Sequence, residues 1–145
     1  MIIAIDFDGT CVTHEFPKVG EDIGAVPVLK ELIKQGHQLI LFTMRSNIVN
    51  PTGDANELHL ESGNYLTDAL KWFKDNEIPL YGIQTNPTQH TWTTSPKCYA
   101  QLYIDDAALG CPLVYGNNHV QYKERPFVDW DAVREMLIGL DIIKL

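Results

Sequence analysis

Acidic residues occur as two close pairs far apart in the chain: Asp6 and Asp8 within Asp6-Phe7-Asp8-Gly9-Thr10, and Asp105 beside Asp106. Each pair directly follows a short apolar run, Ile2 to Ile5 or Leu102 to Ile104, and Thr43 follows another, Leu39 to Phe42. Carboxylates brought together from such positions repel one another unless a cation holds them. Oxygen ligands favour a hard ion, and Mg²⁺ binds through few carboxylates together with water and substrate phosphate. Taken singly, each residue has a plainer reading. An aspartate after a strand makes turns or caps, Thr43 is a cap or turn residue, and Lys97 is a solvated lysine. Only their joint pattern carries the chemistry.

The elements that must position these residues are legible in the apolar pattern. Continuous apolar runs before Asp6 and Thr43 read as strands buried on both faces. Pro27 suits a first helical turn, and Val28, Leu29, Leu32 and Ile33 recur at helical spacing until Gly36. Leu66, Ala69, Leu70 and Phe73 define a second amphipathic helix over Tyr65 to Asn76, with Lys71, Lys74 and Asp75 outward. A third strand is expected over Tyr81 to Gln84, a fourth over Leu102 to Ile104 and a fifth over Pro112 to Tyr115. Asp129 caps a last helix. Alternation of strands and helices predicts an α/β fold, a Rossmann-like three-layer sandwich with a mostly parallel sheet. In such a sheet the carboxyl ends of the strands share one edge, where ligands bind.

A length of 145 residues suits one domain spanning 1–145. With 45% hydrophobic and 21% charged residues the chain can fill a core. A net charge of -8 disfavours nucleic acid as a partner, while a small anion bound beside a metal is compatible with it. No apolar run approaches a membrane span. Met1 to Ile5 is too short for a leader, so Cys11, Cys98 and Cys111 are expected as free thiols in a reducing, cytoplasmic setting. The five histidines, His14, His37, His59, His90 and His119, lack metal-ligand spacing.

The segment IIAIDFDGT, Ile2 to Thr10, resembles the first motif of the haloacid dehalogenase superfamily of phosphohydrolases. LILFT ending at Thr43 resembles the second, Lys97 the third-motif lysine, and LYIDD ending at Asp105-Asp106 the fourth. The resemblance implies a phosphatase acting on a phosphate monoester. Asp6 would be the nucleophile forming an aspartyl-phosphate, and Asp8 the general acid and base. It further implies phosphate contacts from Phe7, Gly9, Thr10, Thr43, Met44 and Lys97, and a Mg²⁺ ion held by Asp6, the Asp8 carbonyl and Asp106, with Asp105 nearby.

Between Thr10 and Thr43 there is room for a loop and one helix only, so a minimal member without a separate cap domain is expected. Ser46 to Asn64 and Thr88 to Pro96 read as loops at the pocket mouth that set selectivity, and Arg45 as a contact to a second anionic group. Small phosphorylated molecules and phosphorylated macromolecules both fit as substrates. A phosphotransferase or a non-catalytic phosphate binder of the same fold is the alternative. A receiver domain would place its acidic pair after the first strand and its phosphorylated aspartate after the third, which is not the order here.

Overall fold

The apolar runs pair edge to edge, and their order decides where the acids meet. The computed structural model describes residues 1–51, 60–115 and 125–145. In chain order its elements are β1 (Ile2–Ile5), α1 (Ala25–Lys34), β2 (Gln38–Leu41), β3 (Asn47–Ile48), β4 (Gly63–Asn64), α2 (Tyr65–Asp75), β5 (Gly82–Ile83), a 3-10 turn (Gln89–Thr91), β6 (Leu102–Ile104), β7 (Leu113–Val114), β8 (Phe127–Val128) and α3 (Trp130–Gly139). Strands β5, β2, β1 and β6 lie in that order in one parallel sheet. Ile5 is level with Leu41 on one side and Ile104 on the other, so the adjacent strands β2, β1 and β6 end together.

Alternation along the strands sorts the core into two faces. Ile3, Ile5, Leu39 and Leu41 pack with the buried stripes of all three helices, among them Leu29 and Leu32, Ala69 and Phe73, and Val133 and Leu137. Arg134 of α3 and Glu31 of α1 join those two helices at 2.8 and 3.0 Å. Asp129 caps α3 by accepting from the Ala132 N–H at 3.0 Å, as the sequence predicts.

The opposite face carries Ala4 and Ile40, covered by Cys98. Two helical crossovers carry the chain from β1 through β2 to β5, and β6 then returns to the free side of β1. A right-handed return must cross the other face of the sheet. Here the crossing segment is irregular, with only the 3-10 turn at its start, and Gln89 pins it. Its side-chain oxygen accepts from Asn86 N–H at 2.8 Å and Tyr99 N–H at 3.0 Å, and its amide donates to the carbonyls of Ser95 at 3.1 Å and Lys97 at 3.0 Å. The result is an α/β, Rossmann-like three-layer fold, with no separate cap among the described residues.

Three expectations are corrected. The strand at Leu113–Val114 is not a fifth member of the sheet; β7 pairs antiparallel with β8, Leu113 opposite Val128. The ends of the 46–64 stretch are not loop, since β3 and β4 pair antiparallel, Asn47 opposite Asn64; residues 52–59 within it lie outside the described residues. Thr88 to Pro96 belongs to the cover of the sheet's second face, because that is the path the return to β6 must take. No helix among the described residues is long and apolar enough to cross a membrane.

Candidate functional site

Strand β1 sends its first connection toward β2 and has β6 on its other side, so the order in which strands are added reverses between the parallel neighbours β1 and β6. That crevice is where an open α/β sheet binds ligands. Asp6 follows β1 and Asp105-Asp106 follow β6, and ligand oxygens of all three lie within 4.8 Å of one another. Thr10 ties the two segments together from a fully buried position. Its hydroxyl donates to Asp6 Oδ2 at 2.7 Å and accepts from the Asp106 N–H at 3.0 Å. Its carbonyl accepts from the Trp130 indole at 2.6 Å, which anchors the turn to α3.

Glycine at position 9 has both a conformational and a steric cause. Its φ is +80°, and a Cβ there would lie 2.1 Å from His14 Nε2 and 2.6 Å from Asp106 Oδ2. The open side of Gly9 is thus where His14 meets Asp106, Nε2 to Oδ2 at 3.0 Å. The amides of this turn close on themselves: Gly9 N–H donates to Val12 O at 2.7 Å and Thr10 N–H to Phe7 O at 3.1 Å. The Phe7 side chain is fully buried core. The expected phosphate contacts from Gly9 and Thr10 are therefore corrected, because hydrogen bonds within the turn already occupy those donors.

The cluster's electrostatics follow from its packing. Burial, above all, pushes the Asp6 carboxyl up from 3.8 to about 8; bonds from Thr10 and the Phe7 amide oppose this, and the neighbouring Asp105 and Asp106 add to it. For Asp106, burial also raises the value, but hydrogen bonds from His14 and Asp6 and the charges of His14 and Arg125 outweigh it and leave the group below its usual range. The two carboxyls thus share one proton in the cation-free protein. An all-oxygen set whose Asp6 carboxyl keeps its proton through burial and neighbouring acids is compatible with a hard divalent cation at Asp6, Asp105 and Asp106.

Arg45 corrects a further expectation. It is 2% exposed and does not reach outward. Nε donates to Asp8 Oδ2 at 2.7 Å and NH2 to Asp8 Oδ1 at 2.8 Å. The remaining donors go to the carbonyls of Lys18 at 2.7 Å, Tyr65 at 3.2 Å and Pro17 at 3.5 Å. The guanidinium also lies 5.1 Å from the ring centres of both Phe7 and Phe16. The anionic group it serves is Asp8, since a buried guanidinium needs a partner inside the fold.

A cavity of about 770 Å³ opens over the strand ends, lined by Asp6, Asp8, Asp105, Asp106 and Thr43 with His14, Phe16, Met44, Arg45, Ser46, Ile48, Leu60, Tyr65, Ala107 and Arg125. The Thr43 loop is clasped by Gln84, whose oxygen accepts from Thr43 N–H at 2.9 Å and whose amide donates to Thr43 O at 2.7 Å. Lys97 is exposed and does not line this cavity; it sits on the segment that covers the sheet's other face. His14, which bonds Asp106, and Arg125 stand beside the acids in the cavity lining instead. Lys123, the other lysine in that part of the chain, and His59 and His119 lie outside the described residues. Of the two expected selectivity segments, 46–64 contributes Ser46, Ile48 and Leu60, whereas 88–96 contributes no lining residue.

His14, Gln84 and Arg125 carry no sign of their roles under a search for metal-ligand spacing. Gln84 was within reach of the strand-end rule, since it follows β5 at the edge where Asp6 and Thr43 stand.

No protein-family model matches the chain, and no curated protein matches it. Among solved structures, a conserved protein coded by a locus of Bacteroides thetaiotaomicron is 30% identical over 96% of this chain and 90% of that one, with a TM-score of 0.67. The chain belongs to that protein's family. Family and fold extend over nearly the whole length of both chains, and the functional reading rests on the geometry above.

Two outcomes follow from this site. Because the fold holds the Asp6 proton up to about pH 8 and the unfolded chain releases it near 3.8, Asp6 lowers stability as pH rises through that window. Thermal denaturation in EDTA should show this slope flattened in Asp6→Asn, and Mg²⁺ should raise Tm more at pH 8 than at pH 5; an equal or larger rise at pH 5 would contradict the shared proton. Removing the partner of buried Arg45 should also be costly. Asp8→Ala is expected to lose about 3–5 kcal/mol in urea unfolding, and Asp8→Asn, which keeps an acceptor, distinctly less.

Proposed function

We propose that the chain is a Mg²⁺-dependent phosphatase of the haloacid dehalogenase type, hydrolysing phosphate monoesters through an aspartyl-phosphate on Asp6. The observation that carries this reading is Asp6 standing with Asp105 and Asp106, oxygens within 4.8 Å, beneath one cavity at the reversal point of the sheet. Mg²⁺ bound by these residues supplies charge neutralisation and orients a phosphoryl group.

An Asp6 oxygen forms the new bond to phosphorus while the phosphorus–oxygen bond to the organic group breaks, its electron pair leaving on that oxygen. Thr43 Oγ1 accepts from the Arg45 N–H at 3.1 Å, which leaves its own proton for a phosphoryl oxygen. His14 steadies Asp106 in place of the expected lysine. In the second step water attacks phosphorus while the bond to the Asp6 oxygen breaks, its electron pair returning to the carboxylate; Asp8 takes the water's proton and inorganic phosphate leaves. Each Asp8 oxygen holds one Arg45 donor and retains a further lone pair for that water. Giving a proton to the leaving oxygen competes with the same pair, so the Arg45 contact favours the base role over the acid role. A base there serves an acceptor hydroxyl as readily as water, so transfer to another acceptor is the second reading, and release of inorganic phosphate separates the two.

A small phosphorylated molecule suits the cavity. The thiols of Cys11, Cys98 and Cys111 are unpaired, which accords with a reducing, cytoplasmic setting.

The test is hydrolysis of p-nitrophenyl phosphate. Activity should require Mg²⁺, vanish in EDTA and vanish in Asp6→Asn purified in parallel, and Asp8→Asn should slow turnover by roughly 10²–10⁴-fold. Undiminished activity in Asp6→Asn would remove the mechanism.

A further inference from the structure

The cavity is acidic at the strand ends and apolar on the side toward the β3–β4 pair. Phe16, Met44, Ile48, Leu60 and Tyr65 make up that apolar side. Phe16 is fixed there: its ring lies 5.3 Å from the Tyr65 ring and 5.1 Å from the Arg45 guanidinium. The Tyr65 hydroxyl donates to the Glu61 carbonyl at 2.5 Å, so its polar tip is already engaged. Met44 directly follows the Thr43 phosphate ligand of the proposed reaction and is 97% exposed. An unbranched thioether standing free at the mouth of a site adapts readily to an aromatic surface.

The same inventory disfavours polar substituents. A sugar or nucleoside brings hydroxyls that need partners once inside, and a second phosphate needs an available cation. Among the described residues lining the cavity, Arg45 is engaged throughout, His14 is bonded to Asp106, and the charge of Arg125 acts on Asp106 at the acidic end. A phosphate seated on Asp6 would therefore direct its organic group against apolar and aromatic side chains.

We propose that the substrate is a phosphate monoester whose organic group is apolar and aromatic close to the phosphate, with Met44, Ile48 and Phe16 selecting it. This rests on the phosphatase reading of the site. Benzyl phosphate and glycerol 1-phosphate both release primary alkoxides, so their relative kcat/KM reports recognition rather than leaving-group quality. Benzyl phosphate should be favoured by roughly tenfold or more, the scale of a filled apolar pocket, and Met44→Ser and Ile48→Ser should each lower that ratio several-fold. Met44 packs against little, so its variant will fold. Calorimetry of the Mg²⁺-loaded protein gives a readout without turnover: phenylphosphonate should bind more tightly than methylphosphonate, by a margin that shrinks in Met44→Ser. A preference for glycerol 1-phosphate, or ratios and margins unmoved in both variants, would overturn the proposal. If no ester were hydrolysed while the phosphonate margin still depended on Met44, the apolar wall would stand and the phosphatase reading would fall.

Discussion

Like charge confined to a small space governs this structure. The parallel register ends β1 and β6 together, and their next residues are acids, so Asp6, Asp105 and Asp106 cannot avoid one another. In a partly buried crevice such a cluster must bind a proton or a cation. Its surroundings answer the same constraint. Thr10 donates to Asp6, His14 meets Asp106, and Gly9 clears the space in which that meeting occurs. The geometry that crowds these carboxylates is also the geometry that could hold a metal ion.

A second charge pair joins this cluster to the rest of the cavity. Arg45 connects Asp8 to the backbone at Pro17, Lys18 and Tyr65, so Asp8 is held by the same residue that lies against Phe16 on the cavity's aromatic side. The acidic end and the apolar wall of the cavity therefore share one buried guanidinium. Burial makes that link stiff, because no donor of Arg45 can be released without leaving it unsatisfied.

Much of the framework was legible because it depends on periodicity. The runs before Asp6, Thr43 and Asp105, and the stripes of α1 and α2, are set by which faces must leave water, and each emerges within a residue or two of its expected limits. The convergence of Asp6, Asp105 and Asp106 was legible for the same reason, since strand ends share an edge. What sequence did not reveal are contacts whose partners are distant and whose residue types are ordinary. Nothing near Arg45 announces that it turns inward to Asp8 rather than outward. Lys97 stands a few residues before β6, which placed it near the acids by distance along the chain; but the return crossover approaches β6 from its amino end, on the face away from the cavity. His14 escaped notice because its role is to bond a carboxylate, which requires no spacing to other histidines.

The covalent step on Asp6 is the claim on which the functional account stands. It is tested most directly in Asp8→Asn, where slowed hydrolysis lets an aspartyl-phosphate accumulate. After acid quench from an activated ester, borohydride reduction marks an acyl-phosphate residue permanently, and peptide mass mapping locates it. The account predicts the mark at Asp6, within the peptide that carries Ile2 to Thr10. A mark at another residue, or continued turnover with Asp6 unmarked, would contradict it.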